Sequence, residues 1–248
     1  MEKPGQPVER ITMKSILEGI LDVFNLEHGL IYTVVALTIR PGKAIRTYLY
    51  EDRTKLVKPF RFLLLTIALA TFATVQYFKY SEAGAEFAAG FADGYRSQGG
   101  GAAGNPEDIK REAELIQHWS EIFTSYFNLF LLFGVPVLAL ATYWVFRRRM
   151  NYAEHLVANS YITGNMTLLY LLMMPCLLLI QYETMSLIYM VFLLVYSIFA
   201  YTRLYQEKWW TGALKTLLST TIYLVLYYFL ILVFVIAVAV FQLGGLQK

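Results

Sequence analysis

The chain has a single cysteine, Cys176, and three histidines, His28, His118 and His155. One thiol excludes an intrachain disulfide framework and a Cys-based zinc site. Cys176 lies within an apolar run, where it reads as a small hydrophobe. The histidines form neither a His-x-x-x-His nor a His-Glu-x-x-His pair, so a helical zinc site has no scaffold. Glu154 and His155 are adjacent and diverge by about 100° on a helix, which keeps them from sharing one ion. A Gly-x-Ser-x-Gly elbow, a Walker loop and a dinucleotide glycine fingerprint are also missing. Charge is scarce at 16% of residues, and the formal net of +3 is not gathered into a basic run, which sets nucleic acid aside. The expectation is a protein without cofactor or metal that is not an enzyme.

What is abundant is apolar. Hydrophobic residues make up 57% of the 248 positions, more than a soluble globule of that size uses, and the mean hydropathy is +0.48. The excess must face something other than water. Residues 1–10 are polar, carry Pro4 and Pro7, and lead into no apolar h-region. A cleaved signal peptide is therefore not expected, and the first membrane segment serves as its own insertion signal.

A helix needs about 20 mostly apolar residues to cross roughly 30 Å of hydrocarbon. Uncharged stretches of that kind place spans near 60–79, 122–146, 156–181, 184–202 and 220–243. Pro175 falls within the third and reads as a kink. No alternating barrel-strand pattern is visible, so backbone satisfaction in lipid dictates helices. The fold class predicted is all-α, a polytopic transmembrane helix bundle of about five crossings. Residues 1–58 form an N-terminal interfacial region with amphipathic helices, 59–248 the membrane domain, and 80–121 an extracytoplasmic loop. That loop opens on a Gly/Ala-rich tract and resumes as a helix from Asn105-Pro106.

Orientation follows from lysine and arginine. With the N-terminus cytoplasmic, sixteen fall on the inner side and five on the outer, Arg147, Arg148 and Arg149 making a cluster on a short inner loop. This predicts a multi-pass protein of the cell inner membrane with its N-terminus cytoplasmic and its C-terminus extracytoplasmic.

Within the N-terminal region, Ile16, Leu17, Ile20, Leu21 and Phe24 recur at helical spacing with Lys14, Glu18 and Asp22 between them. The apolar stretch from Gly29 to Ile39 is too short to span. Arg40, Pro41, Gly42 and Lys43 then break the chain and open a basic helix that includes Arg46. Two readings stay open: helices lying in the inner interface with their bases toward anionic headgroups, or a small cap packed on the bundle.

The polar positions that carry most interest are Asn151, His155, Asn159, Thr163 and Thr167, spaced by four along the third crossing. Such steps place them on one slowly drifting face. Polar groups in lipid are costly, so that face points into the bundle or a wet cavity. Interhelical hydrogen bonding is the first reading, a hydrated vestibule or substrate path the second, a catalytic or metal role the third. Glu154, at a helix start close after the arginine cluster, reads as a cap and ion-pair partner.

Three stretches carry a resemblance: Arg10-Ile-Thr-Met-Lys-Ser; Asn25-Leu-Glu-His-Gly-Leu with Arg40-Pro-Gly-Lys and Lys58-Pro-Phe; and Asn151-Tyr-Ala-Glu-His-Leu-Val with Tyr161-Ile-Thr-Gly. Together they resemble a bacterial family of polytopic membrane proteins described only as a domain of unknown function. Members of that family typically carry a zinc ribbon of paired Cys-x-x-Cys motifs ahead of the first stretch, and this chain has no such cysteines. The spacing of Pro41 and Pro59 also resembles the Yip-type five-helix membrane domains, which implies a link to membrane organisation. Neither resemblance supplies a reaction or a catalytic residue.

The sequence thus points to a non-enzymatic membrane protein that organises the bilayer or docks a partner. A small-solute or ion transporter using the polar stripe is the alternative, and a membrane-embedded hydrolase the third. Its partners are the lipid bilayer, including anionic lipid headgroups, and a protein partner or a second copy of the chain.

Overall fold

The computed structural model describes residues 29–81, 132–146, 150–178 and 182–245, with a few isolated positions between 86 and 114. The amphipathic stretch around Ile16 to Phe24, the arginine cluster 147–149, His28, His118 and most of the loop 80–121 lie outside the described residues. Seven continuous α-helices follow one another among the described residues: α1 Leu30–Ile39, α2 Pro41–Tyr50, α3 Pro59–Tyr80, α4 Leu132–Phe146, α5 Tyr152–Met173, α6 Tyr182–Tyr205 and α7 Trp209–Gly245. No strand occurs among the described residues.

Local chemistry sets most of the boundaries. Pro41 and Pro59 open α2 and α3 at their first turns, where a missing N–H costs nothing and a fixed φ suits the helix. Arg40, held off the helical region by the proline after it, separates α1 from α2 with φ −138° and ψ 56°. Gln206 ends α6 in the left-handed region at φ 54°. The Glu207 N–H reaches back 3.1 Å to the Thr202 carbonyl, which closes the helix as a Schellman turn.

Pro175 acts more strongly than a kink. Regular α-helix stops at Met173 and the chain tightens into a 3₁₀ turn, Met174–Leu178. A proline ring clashes with the carbonyl four residues back and offers no N–H, so the α-helical ladder ends there.

The bundle buries polar side chains among its apolar core and exposes large apolar ones. His155, Asn159 and Asn165 are fully buried, as are Thr142, Thr216 and Ser219, while Phe72, Leu187, Met190, Val195, Leu214 and Val225 are exposed. Many exposed large apolar side chains, with polar groups inside, fit a lipid solvent. Three described helices are long and apolar enough to cross a membrane: Pro59–Tyr80, Thr184–Tyr205 and Trp209–Val233. They contain the expected spans 60–79, 184–202 and, in part, 220–243. The span expected at 122–146 is described only from Leu132 onward. The one expected at 156–181 overlaps α5, which runs Tyr152–Met173 and is not among these three.

Packing centres on α5, against which α3 lies most extensively. Gly164 makes that approach possible, since a Cβ there would sit 2.9 Å from the Phe62 ring. α1 packs on α2 and α5, and α2 on α6. Leu37 and Ile45 from this pair are fully buried in the same apolar cluster as Phe62, Phe146 and Tyr161. The described part of the N-terminal region is therefore built into the bundle.

Candidate functional site

α5 begins with a complete capping box. The Asn151 side chain accepts the Glu154 N–H at 2.9 Å, and the Glu154 carboxylate accepts the Asn151 N–H at 2.8 Å. Two orphan donors of the first turn are thus satisfied, and the acid lies at the positive helix end. The Glu154 carboxylate also lies near the Tyr50 phenol at the end of α2. Burial, and then this carboxylate, push the phenol's pKa upward.

One turn further in, a closed polar network joins α4, α5 and α6. His155 Nδ1 lies 3.1 Å from the Thr142 hydroxyl and 2.8 Å from that of Tyr205. In one tautomer it accepts from Tyr205, and in the other it donates to Thr142. His155 Nε2 has no hydrogen-bond partner among the described residues, although the Met150 backbone also acts on the ring. Asn159 Nδ2 donates to Thr142 at 2.9 Å and to the His155 carbonyl at 2.8 Å, while its Oδ1 accepts from Tyr201 at 2.5 Å. Tyr205 stacks on Phe146 at 4.0 Å between centroids, so the network is roofed by rings.

A second polar link ties α1 to α5 and α6. Asn165 Nδ2 donates to the Tyr196 hydroxyl at 2.9 Å and to Thr38 Oγ1 at 3.3 Å, and Tyr196 donates to the Leu37 carbonyl at 2.8 Å. Nearby, the Tyr161 hydroxyl donates to the Val57 carbonyl at 2.6 Å, and the Val57 N–H to Thr33 Oγ1 at 3.0 Å. The loop before α3 is thereby pinned to both α1 and α5.

The expected stripe divides accordingly. Asn151 is exposed as the cap, His155 and Asn159 are joined in the network, and Thr163 is half-buried. Thr167 is buried, with its hydroxyl returned to the Thr163 carbonyl at 2.9 Å. A step of four residues drifts by about 40°, so two steps past His155 carry Thr163 roughly 80° off the network face. Asn165 was missed because it lies about 80° round to the other side, facing α1. Tyr196, Tyr201 and Tyr205 were missed as well, and their spacing of five and four along α6 was the signal available.

At the other polar locus, α2 crosses the end of α6. Gly42 lies so close that a Cβ would meet the Arg203 carbonyl carbon at 2.3 Å and Leu204 N at 2.5 Å. Arg46 Nη1 donates to the carbonyls of Arg203 and, at 3.2 Å, Leu204. A cation thus sits on the negative, unsatisfied end of α6. Of the expected interfacial motif, Pro41 and Gly42 are buried here, while Arg40 and Lys43 remain exposed. A pocket of about 470 Å³ opens beside this crossing, lined by Arg46, Thr202, Arg203, Gln206, Glu207 and Trp209.

No group of three metal-ligating side chains occurs among the described residues. Chemically, the α5 network holds polar groups that bind one another, an arrangement suited to fixing helix positions. The α2–α6 crossing presents positive charge beside an open pocket.

These features define an apolar helical bundle of a kind compatible with an integral membrane protein. Over residues 27–71 the chain is similar to a family described as a protein of unknown function, DUF3667. The match covers α1, α2 and the first half of α3, and so takes in both Gly42 and Arg46. No curated protein and no solved structure matches the chain.

Proposed function

We propose that this chain is a non-enzymatic integral membrane protein that organises the bilayer or docks a partner, with the end of the bundle formed by α2 and the α6–α7 turn as its working surface. The observation that carries this reading is the state of the buried polar groups. His155, Asn159 and Asn165 bond to Thr142, Tyr196, Tyr201 and Tyr205 within the bundle. Groups so engaged hold helices in register. A carrier needs them free to trade partners with a solute.

The same reading has about five crossings: α3, a helix ending in α4, α5, α6 and α7. It places the N-terminus in the cytoplasm and the C-terminus outside a bacterial inner membrane, supported by the excess of lysine and arginine on one side. Membrane domains of unknown function and Yip-type domains remain the families it resembles.

Reconstitution tests the assignment. Proteoliposomes containing the unmodified chain should show no solute or ion flux above that of empty vesicles. Asn159→Leu should lower thermal stability only. Flux that is present in the unmodified protein and abolished by Asn159→Leu at temperatures where the variant stays folded would sink the proposal and promote a transporter.

A further inference from the structure

We propose that the pocket between α2, the end of α6 and the start of α7 binds the headgroup of an anionic phospholipid. The inference rests on the reading of the chain as membrane-embedded and goes beyond it by assigning a ligand and a site.

Charge comes first. Arg46 commits Nη1 to the two α6 carbonyls, which leaves three of its five N–H donors for a ligand. Arg203 is exposed, its guanidinium 6.0 Å from the centre of the Phe199 ring. No carboxylate pairs with it among the described residues. Glu207, the acid in the lining, is neutralised by Lys215 at 2.7 Å. The pocket therefore presents two guanidinium groups and no free negative charge, which suits the planar, forked recognition of a phosphate. Thr202 also lines the pocket, its hydroxyl buried against Gly212.

Position decides between a lipid and a soluble anion. The pocket lies at the turn between two helices long and apolar enough to cross a membrane, Thr184–Tyr205 and Trp209–Val233. Trp209 and Trp210, both exposed, stand where α7 begins, and tryptophan gathers at the headgroup level of a bilayer. Trp210, Leu214 and Leu217 then follow at helical spacing, all exposed. An acyl chain has an apolar track leading away from the phosphate site. At about 470 Å³ the cavity falls in the range of small-ligand pockets.

Native mass spectrometry of the full chain in detergent, titrated with phosphatidylglycerol, phosphatidylcholine or inorganic phosphate, tests the site. Phosphatidylglycerol should be retained in preference to phosphatidylcholine. Arg203→Gln removes a charge without touching the α6 cap, and should weaken that binding about fivefold or more. Lys79→Gln, which removes one charge elsewhere, should leave it unchanged. Equal loss in both variants, or no preference for the anionic lipid, overturns the site. Competition by inorganic phosphate at the same strength as phosphatidylglycerol overturns the lipid assignment. Flotation of the unmodified chain with phosphatidylcholine vesicles separates the two levels: failure to float removes the membrane reading, whereas flotation without selectivity removes the headgroup site alone.

Discussion

Replacing Gly42 by alanine tests whether the contact between α2 and α6 is as close as the structure has it. The new Cβ would fall 2.3 Å from the Arg203 carbonyl carbon, 2.5 Å from Leu204 N and 2.6 Å from the Arg203 carbonyl oxygen. All three are backbone atoms, which cannot swing aside as a side-chain tip does. Overpacking of this kind costs about 1–3 kcal/mol. Relief requires α2 to lift from α6, and the Arg46 bonds to the Arg203 and Leu204 carbonyls lengthen with it. Charge-assisted hydrogen bonds contribute about 1.5–3 kcal/mol. Alanine's higher helix propensity returns at most about 1 kcal/mol. The net expectation is a loss of about 2–5 kcal/mol, set by the steric and hydrogen-bond terms. The assay is denaturant or thermal unfolding of the full chain in one detergent, beside Gly90→Ala, whose Cβ meets nothing within 4 Å among the described residues. Gly90→Ala should change stability by less than about 0.5 kcal/mol. A Gly42→Ala protein as stable as the Gly90→Ala control would refute the close crossing and the capping role of Arg46 together.

Asn159→Leu leaves the Tyr201 hydroxyl buried without its acceptor, and should cost about 2 kcal/mol in the same unfolding assay. Thr163→Val, roughly 80° off the network face, should cost under about 0.5 kcal/mol; equal costs would count against the network. Gln206→Gly relieves a left-handed residue at φ 54°, and should stabilise the protein by about 1 kcal/mol. A loss of stability there would show that the Gln206 side chain matters more than its backbone. Topology is open to labelling in a Cys176→Ser background, necessary because Cys176 is exposed. Ser97→Cys should react with a membrane-impermeant thiol reagent in intact cells and Arg148→Cys should not, and the reverse pattern would invert the orientation.

The parts of this fold that sequence discloses are those set by short-range chemistry. Pro41 and Pro59 mark the starts of α2 and α3, and Glu154 marks the start of α5, where the structure adds Asn151 as the other half of the capping box. Uncharged length discloses α3, α6 and α7. Pro175 was legible as a disturbance, but whether a proline bends a helix or ends it depends on what can re-satisfy the freed carbonyl. The candidate site was half visible. His155 and Asn159 could be found because helical spacing brings polar residues onto one face. Their partners Tyr201 and Tyr205 could not, since tyrosine in an apolar run serves equally at a lipid interface. Asn165 escaped a search for a single face because it serves a different neighbour. Arg46 was visible as one of several bases, yet its role depends on carbonyls that belong to a distant part of the chain.

That distance bears on how the protein is made. Arg46 and the carbonyl it caps are 157 residues apart, and all of α3, α4 and α5 is synthesised between them. During elongation the contact made by Gly42 and Arg46 cannot form until α6 emerges, because the backbone they meet belongs to Arg203 and Leu204. The last hairpin therefore completes the first one. A chain that ended after α5 would keep the contacts of α2 with α1 and α5 but would leave Gly42 and Arg46 without the α6 backbone they meet.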